Sequence, residues 1–128
     1  MKQFTLGKKE RLKSRKQIDQ LFGEGKNFPL SPFRIYYRLM PLKADSSTLQ
    51  FGAGVSAKNF KRAVDRNRIK RQLRECYREE KEKLYEFISA ANKQYALMIV
   101  FTNKNTVPFN ELMEKLAAVI QRLKKDIK

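Results

Sequence analysis

The 128-residue sequence predicts a small α+β domain, a two-layer sandwich in which a sheet packs against helices in the order α-β-β-α-β-α. Two segments alternate apolar and polar residues, as strands do, and others place apolar residues at helical spacing. Apolar residues make up 41% of the chain and include nine Phe, which is enough for one core. We find no repeat, low-complexity tract or long linker, and assign residues 1–128 to one domain, with residues 1–13 expected to form a flexible basic arm.

The first predicted helix runs from Ser14 to Phe22, with Ser14 as its N-cap. Gly23 and Gly25 are expected to end it. Three apolar residues lie at helical spacing: Ile18, Leu21 and Phe22. On spacing alone, Phe22 is better explained as a core residue than as a binding residue.

Two strands are predicted next, over Phe33–Leu39 and Leu49–Ser56. The first strand has a core face made of Phe33, Ile35 and Tyr37. Its other face is cationic and aromatic, with Arg34, Tyr36 and Arg38. The second strand has an apolar face with Phe51, Ala53 and Val55, and an almost bare face with Gln50, Gly52, Gly54 and Ser56. Because the polar segment Pro41–Ser47 joins the two strands as a loop, we expect them to be antiparallel neighbours.

A long helix is predicted over residues 60–87, which contain neither Gly nor Pro. Its apolar stripe consists of Ile69, Leu73, Cys76, Tyr77 and Leu84. The segment Tyr95–Thr102 is apolar on both faces, which is typical of a strand covered on both sides or at the centre of a sheet. An amphipathic helix over Asn110–Ile127 follows, and its inward residues are Leu112, Leu116, Val119, Ile120 and Leu123.

The charge of the chain limits the functions open to it. The 29 Lys and Arg residues outnumber the 13 Asp and Glu residues, so the formal net charge at pH 7 is +16. We rank nucleic acid first among the polyanionic partners, an anionic membrane surface second and an acidic protein third. The longest apolar run, Tyr95–Phe101, has seven residues against the roughly 20 that span a bilayer. With no secretory signal recognised, we expect a cytoplasmic protein.

The sequence also argues against a catalytic site on this chain. It has no His and a single Cys, Cys76, which excludes His-based acid–base chemistry, a Cys/His zinc site and an internal disulfide framework. Neither a nucleophile paired with a base nor an isolated acidic cluster is recognisable. We therefore predict no catalytic side chain and no metal site.

The long helix carries the strongest functional signal. On a helical wheel, five polar residues of this helix lie away from the apolar stripe: Asn67, Lys70, Arg71, Arg74 and Arg78. Residues 58–74 contain eight basic residues and one acidic residue, Asp65. Guanidinium groups bind phosphates through paired N–H donors, so this half of the helix is predicted to contact RNA. The alternative is a solvated helix with ion pairs at i, i+4: Arg71–Glu75 and Glu79–Lys83.

The outer face of the first strand is a second region suited to RNA. An aromatic ring can stack on a base, flanking cations can bind phosphates, and glycines admit a close backbone approach. Tyr36 supplies the ring, and Phe22 could line the same groove. The neighbours are Arg34, Arg38, Gly52, Gly54 and Ser56. The alternative is that Tyr36 is an ordinary half-buried packing residue.

The run Phe51–Tyr77 contains the sequence Arg66-Asn67-Arg68-Ile69-Lys70-Arg71, followed by Arg74, after a Val-Ser strand end. Together with Arg11-Leu12, Phe22–Gly25 and Phe33–Tyr36, this run resembles the protein subunit of bacterial ribonuclease P. The last strand and helix match this family mainly in order and character. Two positions depart from it: Ile18 stands where many members have an aromatic residue, and Ser56-Ala57-Lys58 replaces Ser-Lys-Lys, with about one extra residue before the helix.

The resemblance implies a left-handed crossover in the β-α-β unit that contains this helix. It implies contacts with the catalytic ribonuclease P RNA by Arg66, Asn67, Arg68, Lys70, Arg71 and Arg74. It assigns the single-stranded 5′ leader of precursor tRNA to Phe22, Phe33, Tyr36, Ser56 and Lys58. The implied reaction is endonucleolytic removal of that leader, with Mg²⁺ bound mainly by the RNA subunit. Neither a membrane nor a protein partner is implied.

Two other classes of function stay open. A structural RNA-binding protein, such as a small ribosomal component, fits the composition but does not account for the Arg66-Asn67-Arg68 run. A standalone nuclease would need a catalytic set of residues that is not recognisable here.

Overall fold

The computed structural model describes Leu12, residues 15–41 and residues 48–127. Within these residues the elements are α1 (Arg15–Glu24), β1 (Lys26–Leu30), β2 (Phe33–Met40), β3 (Leu49–Val55), α2 (Ala63–Ala90), β4 (Gln94–Phe101) and α3 (Phe109–Asp126). The α+β class and the predicted element order are confirmed, with β1 as an additional strand. The predicted cap Ser14 and the loop residues 42–47 lie outside the described residues.

The four strands form one sheet in the order β1-β2-β4-β3. β4 lies between β2 and β3, antiparallel to the first and parallel to the second. β2 and β3 therefore run in opposite directions, as predicted, but the prediction that they are neighbours is wrong. β4 takes the place between them because its residues 95–99 are buried on both faces, which an edge strand does not allow. Its predicted position inside the sheet is confirmed. α2 connects β3 to β4. The family resemblance implies that this crossover is left-handed.

β1 was not predicted because its sequence has no clear alternation. Within this strand only Phe28 is buried, and Pro29 cannot donate a backbone hydrogen bond. Both features suit an edge strand, where one side of the backbone stays unpaired. Gly25 joins α1 directly to β1, and a Cβ there would lie 2.5 Å from the Leu21 carbonyl oxygen and 2.9 Å from that of Tyr37. Only glycine permits this close approach.

The two faces of the sheet are covered unequally. α2 and α3 cover one face, where the predicted apolar stripe of α2 is buried and the ring of Tyr77 stacks on Phe51 with centroids 3.9 Å apart. α1 lies on the opposite face, over a smaller cluster made of Leu12, Leu21, Ala96 and Met98. α1 is the helix of the described chain that packs on this second face, and it covers only part of it. None of the described helices has the length and apolarity needed to cross a membrane.

Leu12 anchors the start of the described chain to the sheet. Its amide donates to the Phe51 carbonyl on the free edge of β3 at 2.9 Å, and its side chain is buried. Leu12 belongs to the segment 1–13 predicted as a flexible arm, so that prediction is wrong at this residue. The other residues of the segment lie outside the described part of the chain.

Candidate nucleic-acid interface

The groove between α1 and the sheet has an aromatic wall made of Phe22 and Tyr36. Their rings meet edge-on, with centroids 4.6 Å apart and planes at 82°. Leu21 is fully buried and takes the core position of the helix. Phe22, one residue later, is rotated by about 100° and is 44% exposed. The structure therefore places Phe22 at the groove, whereas the spacing of the apolar residues alone had favoured a core position.

The floor of the groove is set by strand register. Tyr36, Met98 and Gly52 stand side by side in one row across β2, β4 and β3, and Arg34, Val100 and Gly54 form the next row. A Cβ on Gly52 would lie 2.9 Å from the Met98 methyl carbon, so the Met98 side chain fills the space above this glycine. A Cβ on Gly54 would make only ordinary contacts with Val100 and Met98, the nearer at 3.6 Å. The row that contains Gly54 is therefore the more open part of the groove floor.

The two arginines of this face differ in their partners. The guanidinium of Arg34 donates to Asn27 Oδ1 at 2.7 Å, a neutral partner that orients the side chain, and no acidic side chain of the described residues pairs with it. Arg38 pairs with the Glu24 carboxylate at 3.4 Å, which offsets its charge. Arg34 is therefore the better placed of the two to attract a phosphate.

Phe33 does not belong to this face. Its side chain is 1% exposed, and its ring lies 6.4 Å from the Phe101 ring in the main core. The alternation of β2 puts Phe33 on the same side as Ile35, opposite to Tyr36. The assignment of Phe33 to leader contact, which came from the family resemblance, is wrong for the free protein because the ring is enclosed by the core.

Ser56 and Lys58 lie in the loop between β3 and α2. The Ser56 amide donates to the Phe101 carbonyl at 3.4 Å, which extends the pairing of β3 with β4 by one residue. The Ser56 carbonyl accepts from the amides of Asn59 at 3.2 Å and Phe60 at 3.1 Å, so the chain turns here. Lys58 is exposed in this turn.

The N-terminal half of α2 presents a cationic surface. Asn67, Arg68, Arg71 and Arg74 are exposed, and Lys70 is half-buried. Within the described residues none of these four cations has an acidic partner. The pairs observed lie elsewhere on the helix: Arg62–Asp65, Arg78–Glu75 and Lys83–Glu80. The ion pairs proposed by the solvated-helix alternative are not among those formed by the described residues.

Arg66 differs from the other cations of the Arg66-Asn67-Arg68 run. Its Nη1 donates to the carbonyl oxygens of Phe60 at 2.8 Å and Lys61 at 2.7 Å. These bonds join the first turn of α2 to the loop that precedes it. Arg66 therefore has a structural role in the free protein, whereas Arg68 is exposed for contact with a ligand.

A small cavity of about 320 Å³ lies at the end of the sheet, lined in part by Tyr37, Tyr95, Arg38 and Asp126. Burial raises the pKa of Tyr37, and the neighbouring Asp126 carboxylate raises it further. Burial also raises the pKa of Tyr95. Both phenols stay neutral, and the Asp126 carboxylate of α3 lies near Tyr37 in the lining of this cavity. Among the residues described, no three Asp, Glu, Cys or His side chains form a group able to hold a metal ion.

Sequence comparison identifies relatives of this chain. The model of the family described as ribonuclease P matches residues 6–124. The ribonuclease P protein component of Porphyromonas gingivalis is 46% identical over 87 residues, which span 66% of this chain but only 61% of that protein. The component from Chlorobium phaeobacteroides is 29% identical over 129 residues, spanning 94% of this chain and 88% of that protein.

Solved structures share the fold. The ribonuclease P protein from Thermotoga maritima superposes with a TM-score of 0.67 at 25% identity, covering 88% of this chain and 96% of that chain. The ribonuclease P protein from Staphylococcus aureus has a TM-score of 0.69 at 19% identity, covering 90% and 95%. The fold, the Arg66-Asn67-Arg68 helix and the family match agree, and the chain belongs to the ribonuclease P protein family.

Proposed function

We propose that this protein is the protein subunit of ribonuclease P, which assists a catalytic RNA in the endonucleolytic removal of the 5′ leader from precursor tRNA. One observation carries the proposal: a chain of this family combines an aromatic groove with a helix whose N-terminal half presents four cations that have no acidic partner among the described residues. The cationic helix suits the phosphates of a folded RNA, and the aromatic groove suits the bases of a single strand. Proteins that bind only duplex RNA have no use for an exposed stacking pair.

The cationic half of α2 binds the catalytic RNA in this proposal. Its contact residues are Asn67, Arg68, Lys70, Arg71 and Arg74, with Arg66 supporting them from the first turn. Arginine guanidinium groups bind phosphate oxygens through paired hydrogen bonds. Each phosphate that is neutralised in this way releases counterions from the RNA. Binding should therefore weaken steeply as the salt concentration rises.

The groove binds the leader. A base stacks against the Phe22–Tyr36 wall, and stacking on an aromatic side chain contributes about 1–3 kcal/mol per base. Arg34, Ser56 and Lys58 contact the sugar–phosphate backbone beside it. Mature tRNA has no leader, so these contacts favour the precursor over the product.

The hydrolytic step is assigned to the RNA. Mg²⁺ supplies an activated water for hydrolysis of one phosphodiester bond. In this proposal Mg²⁺ is bound mainly by the RNA, and the side chains of the protein take no part in the hydrolytic step. The protein contributes by reducing phosphate repulsion between the two RNAs, which lowers the Mg²⁺ concentration needed. We place this activity in the cytoplasm.

The test is cleavage of a precursor tRNA by a bacterial ribonuclease P RNA at low Mg²⁺, with the protein, without it, and with the protein alone. Cleavage only when both subunits are present supports the proposal. Cleavage by the protein alone would show a nuclease, and the absence of any effect with a well-matched RNA would favour a structural RNA-binding protein. Mature tRNA serves as a competitor that measures the preference for the leader.

A further inference from the structure

The β3–α2 loop is fixed to the end of β4 by one side chain. Asn59 Nδ2 donates to the Thr102 carbonyl at 3.1 Å and lies 3.4 Å from the Asn103 carbonyl as a second acceptor. Its own backbone amide donates to the Ser56 carbonyl. A single amide thus joins two segments that are 43 residues apart in sequence.

The loop is held on its other side as well. The Arg66 guanidinium bonds to the carbonyls of Phe60 and Lys61, and the Phe60 ring lies 5.9 Å from the Phe101 ring. Lys58 is exposed and immediately precedes Asn59, and on its other side the Ser56 amide is bonded to the Phe101 carbonyl. Asn59 therefore fixes the loop at the position directly after Lys58.

Fixing the backbone matters because lysine has a long side chain with many rotamers. A lysine on a mobile loop spreads its charge over a large volume and loses more entropy when it binds a phosphate. A lysine whose Cα is held keeps its ammonium within reach of one backbone position.

We propose that Asn59 is a positioning residue, which holds Lys58 at the sheet edge where the leader backbone passes. This inference rests on the proposed function, in which Lys58 contacts the leader. Asn59 acts through its two N–H donors and touches no RNA. Replacing it with Ala removes the attachment and leaves Lys58 in the sequence.

The test is a double-mutant cycle in the reconstituted holoenzyme, with Asn59→Ala, Lys58→Ala and the double variant. We expect Asn59→Ala to weaken precursor binding about three- to tenfold, the cost of ordering one long side chain on binding, and to leave mature tRNA binding unchanged. In the Lys58→Ala background, Asn59→Ala should have no further effect. Asn105→Ala, which changes an exposed side chain between β4 and α3, is the matched control and should resemble the wild type.

Each other outcome overturns the inference. Additive losses would show that Asn59 does not act through Lys58, and equal losses for precursor and mature tRNA would show a general structural role. An unchanged Asn59→Ala protein, or a Lys58→Ala protein with wild-type precursor binding, would also contradict it. If the wild-type holoenzyme showed no preference for precursor over mature tRNA, the proposed function itself would fail, and the two failures are thereby distinguished. Thermal unfolding of each variant confirms that the comparison is made between folded proteins.

Discussion

Phe22 presents its ring edge-on to the ring of Tyr36, with centroids 4.6 Å apart. The neighbouring residue of Phe22, Leu21, is fully buried, so α1 is anchored without any help from the phenylalanine. The aromatic pair is thus held in place by a core to which Phe22 does not belong. Substitution of Phe22 should therefore change binding far more than folding, whereas Tyr36 also packs against the smaller core cluster.

Tyr36→Ala is expected to weaken binding of precursor tRNA by about 1–3 kcal/mol, the contribution of stacking one base on an aromatic ring. Binding of mature tRNA should barely change, because the leader is absent. Tyr36→Phe keeps the ring and should behave like the wild type. Equal losses for precursor and mature tRNA in a titration of the holoenzyme would remove Tyr36 from the leader groove.

Arg68→Ala should weaken binding to the catalytic RNA and reduce the slope of log affinity against log salt by about one, because one phosphate contact is lost. Its side chain is exposed, so the thermal midpoint should stay near that of the wild type. A salt titration of the protein with the RNA subunit measures both affinity and slope. An unchanged slope would show that Arg68 contacts no phosphate.

Arg66→Ala should instead lower stability, by about 1 kcal/mol, because two carbonyl oxygens of the preceding loop lose their donor. Chemical denaturation measures this loss, and Arg68→Ala is the control of the same residue type in the same helix. If both variants had wild-type stability, the bonds from Arg66 to Phe60 and Lys61 would contribute nothing measurable.

Residue periodicity was sufficient to predict most single elements but not their arrangement. The alternation in β2 correctly separates Tyr36 from the core residues, and it also places Phe33 in the core, against the role implied by the family resemblance. Strand pairing could not be predicted from periodicity. The α2 crossover places β4 between β2 and β3, and local sequence patterns carry no information on that crossover.

The polar contacts of the site were the least predictable part. Asn27 binds Arg34 across the β1–β2 pair, and Asn59 binds carbonyl groups beyond the end of β4. Their partners are set by the register of distant segments, and an isolated Asn in a polar stretch gives no signal of them. The exposure of Phe22 was equally hidden, because Leu21 and Phe22 are adjacent apolar residues and either could have faced the core.

Gly25→Ala should destabilise the fold by about 1–3 kcal/mol, since the new Cβ would lie 2.5 Å and 2.9 Å from two backbone oxygen atoms that cannot move independently. Gly23→Ala is the matched control. Apart from its chain neighbours and the backbone of α1 itself, no atom of the described residues lies within 4 Å of a Cβ placed on Gly23, which is inside α1, so Ala should stabilise that helix by about 0.5–1 kcal/mol. Urea denaturation of the two variants should move the midpoint in opposite directions. Two shifts of the same sign would contradict the close approach at Gly25.

Cys76 should be unreactive while the protein is folded. Its side chain is fully buried, and burial raises the pKa of the thiol from 9.0 to about 12, with Glu79 and Glu75 adding to the rise. The thiolate, which is the reactive form, is therefore nearly absent at pH 8. Iodoacetamide should label Cys76 only when the chain unfolds, at a rate that increases with urea. Fast labelling of the folded protein would show that the thiol is accessible.

The same shift makes stability depend on pH in a defined direction. The folded state holds the thiol proton more tightly than the unfolded state, so the stabilisation is complete below pH 9 and is lost as the pH rises from 9 toward 12. Tyr37 and Tyr95, whose pKa values burial also raises, titrate in the alkaline range too, so the informative quantity is the difference between two proteins. Cys76→Ala should be less stable than the wild type at pH 8, because it leaves a small void, yet lose less stability between pH 9 and 11. Parallel stability curves for the two proteins would mean that Cys76 does not titrate differently in the folded and unfolded chains.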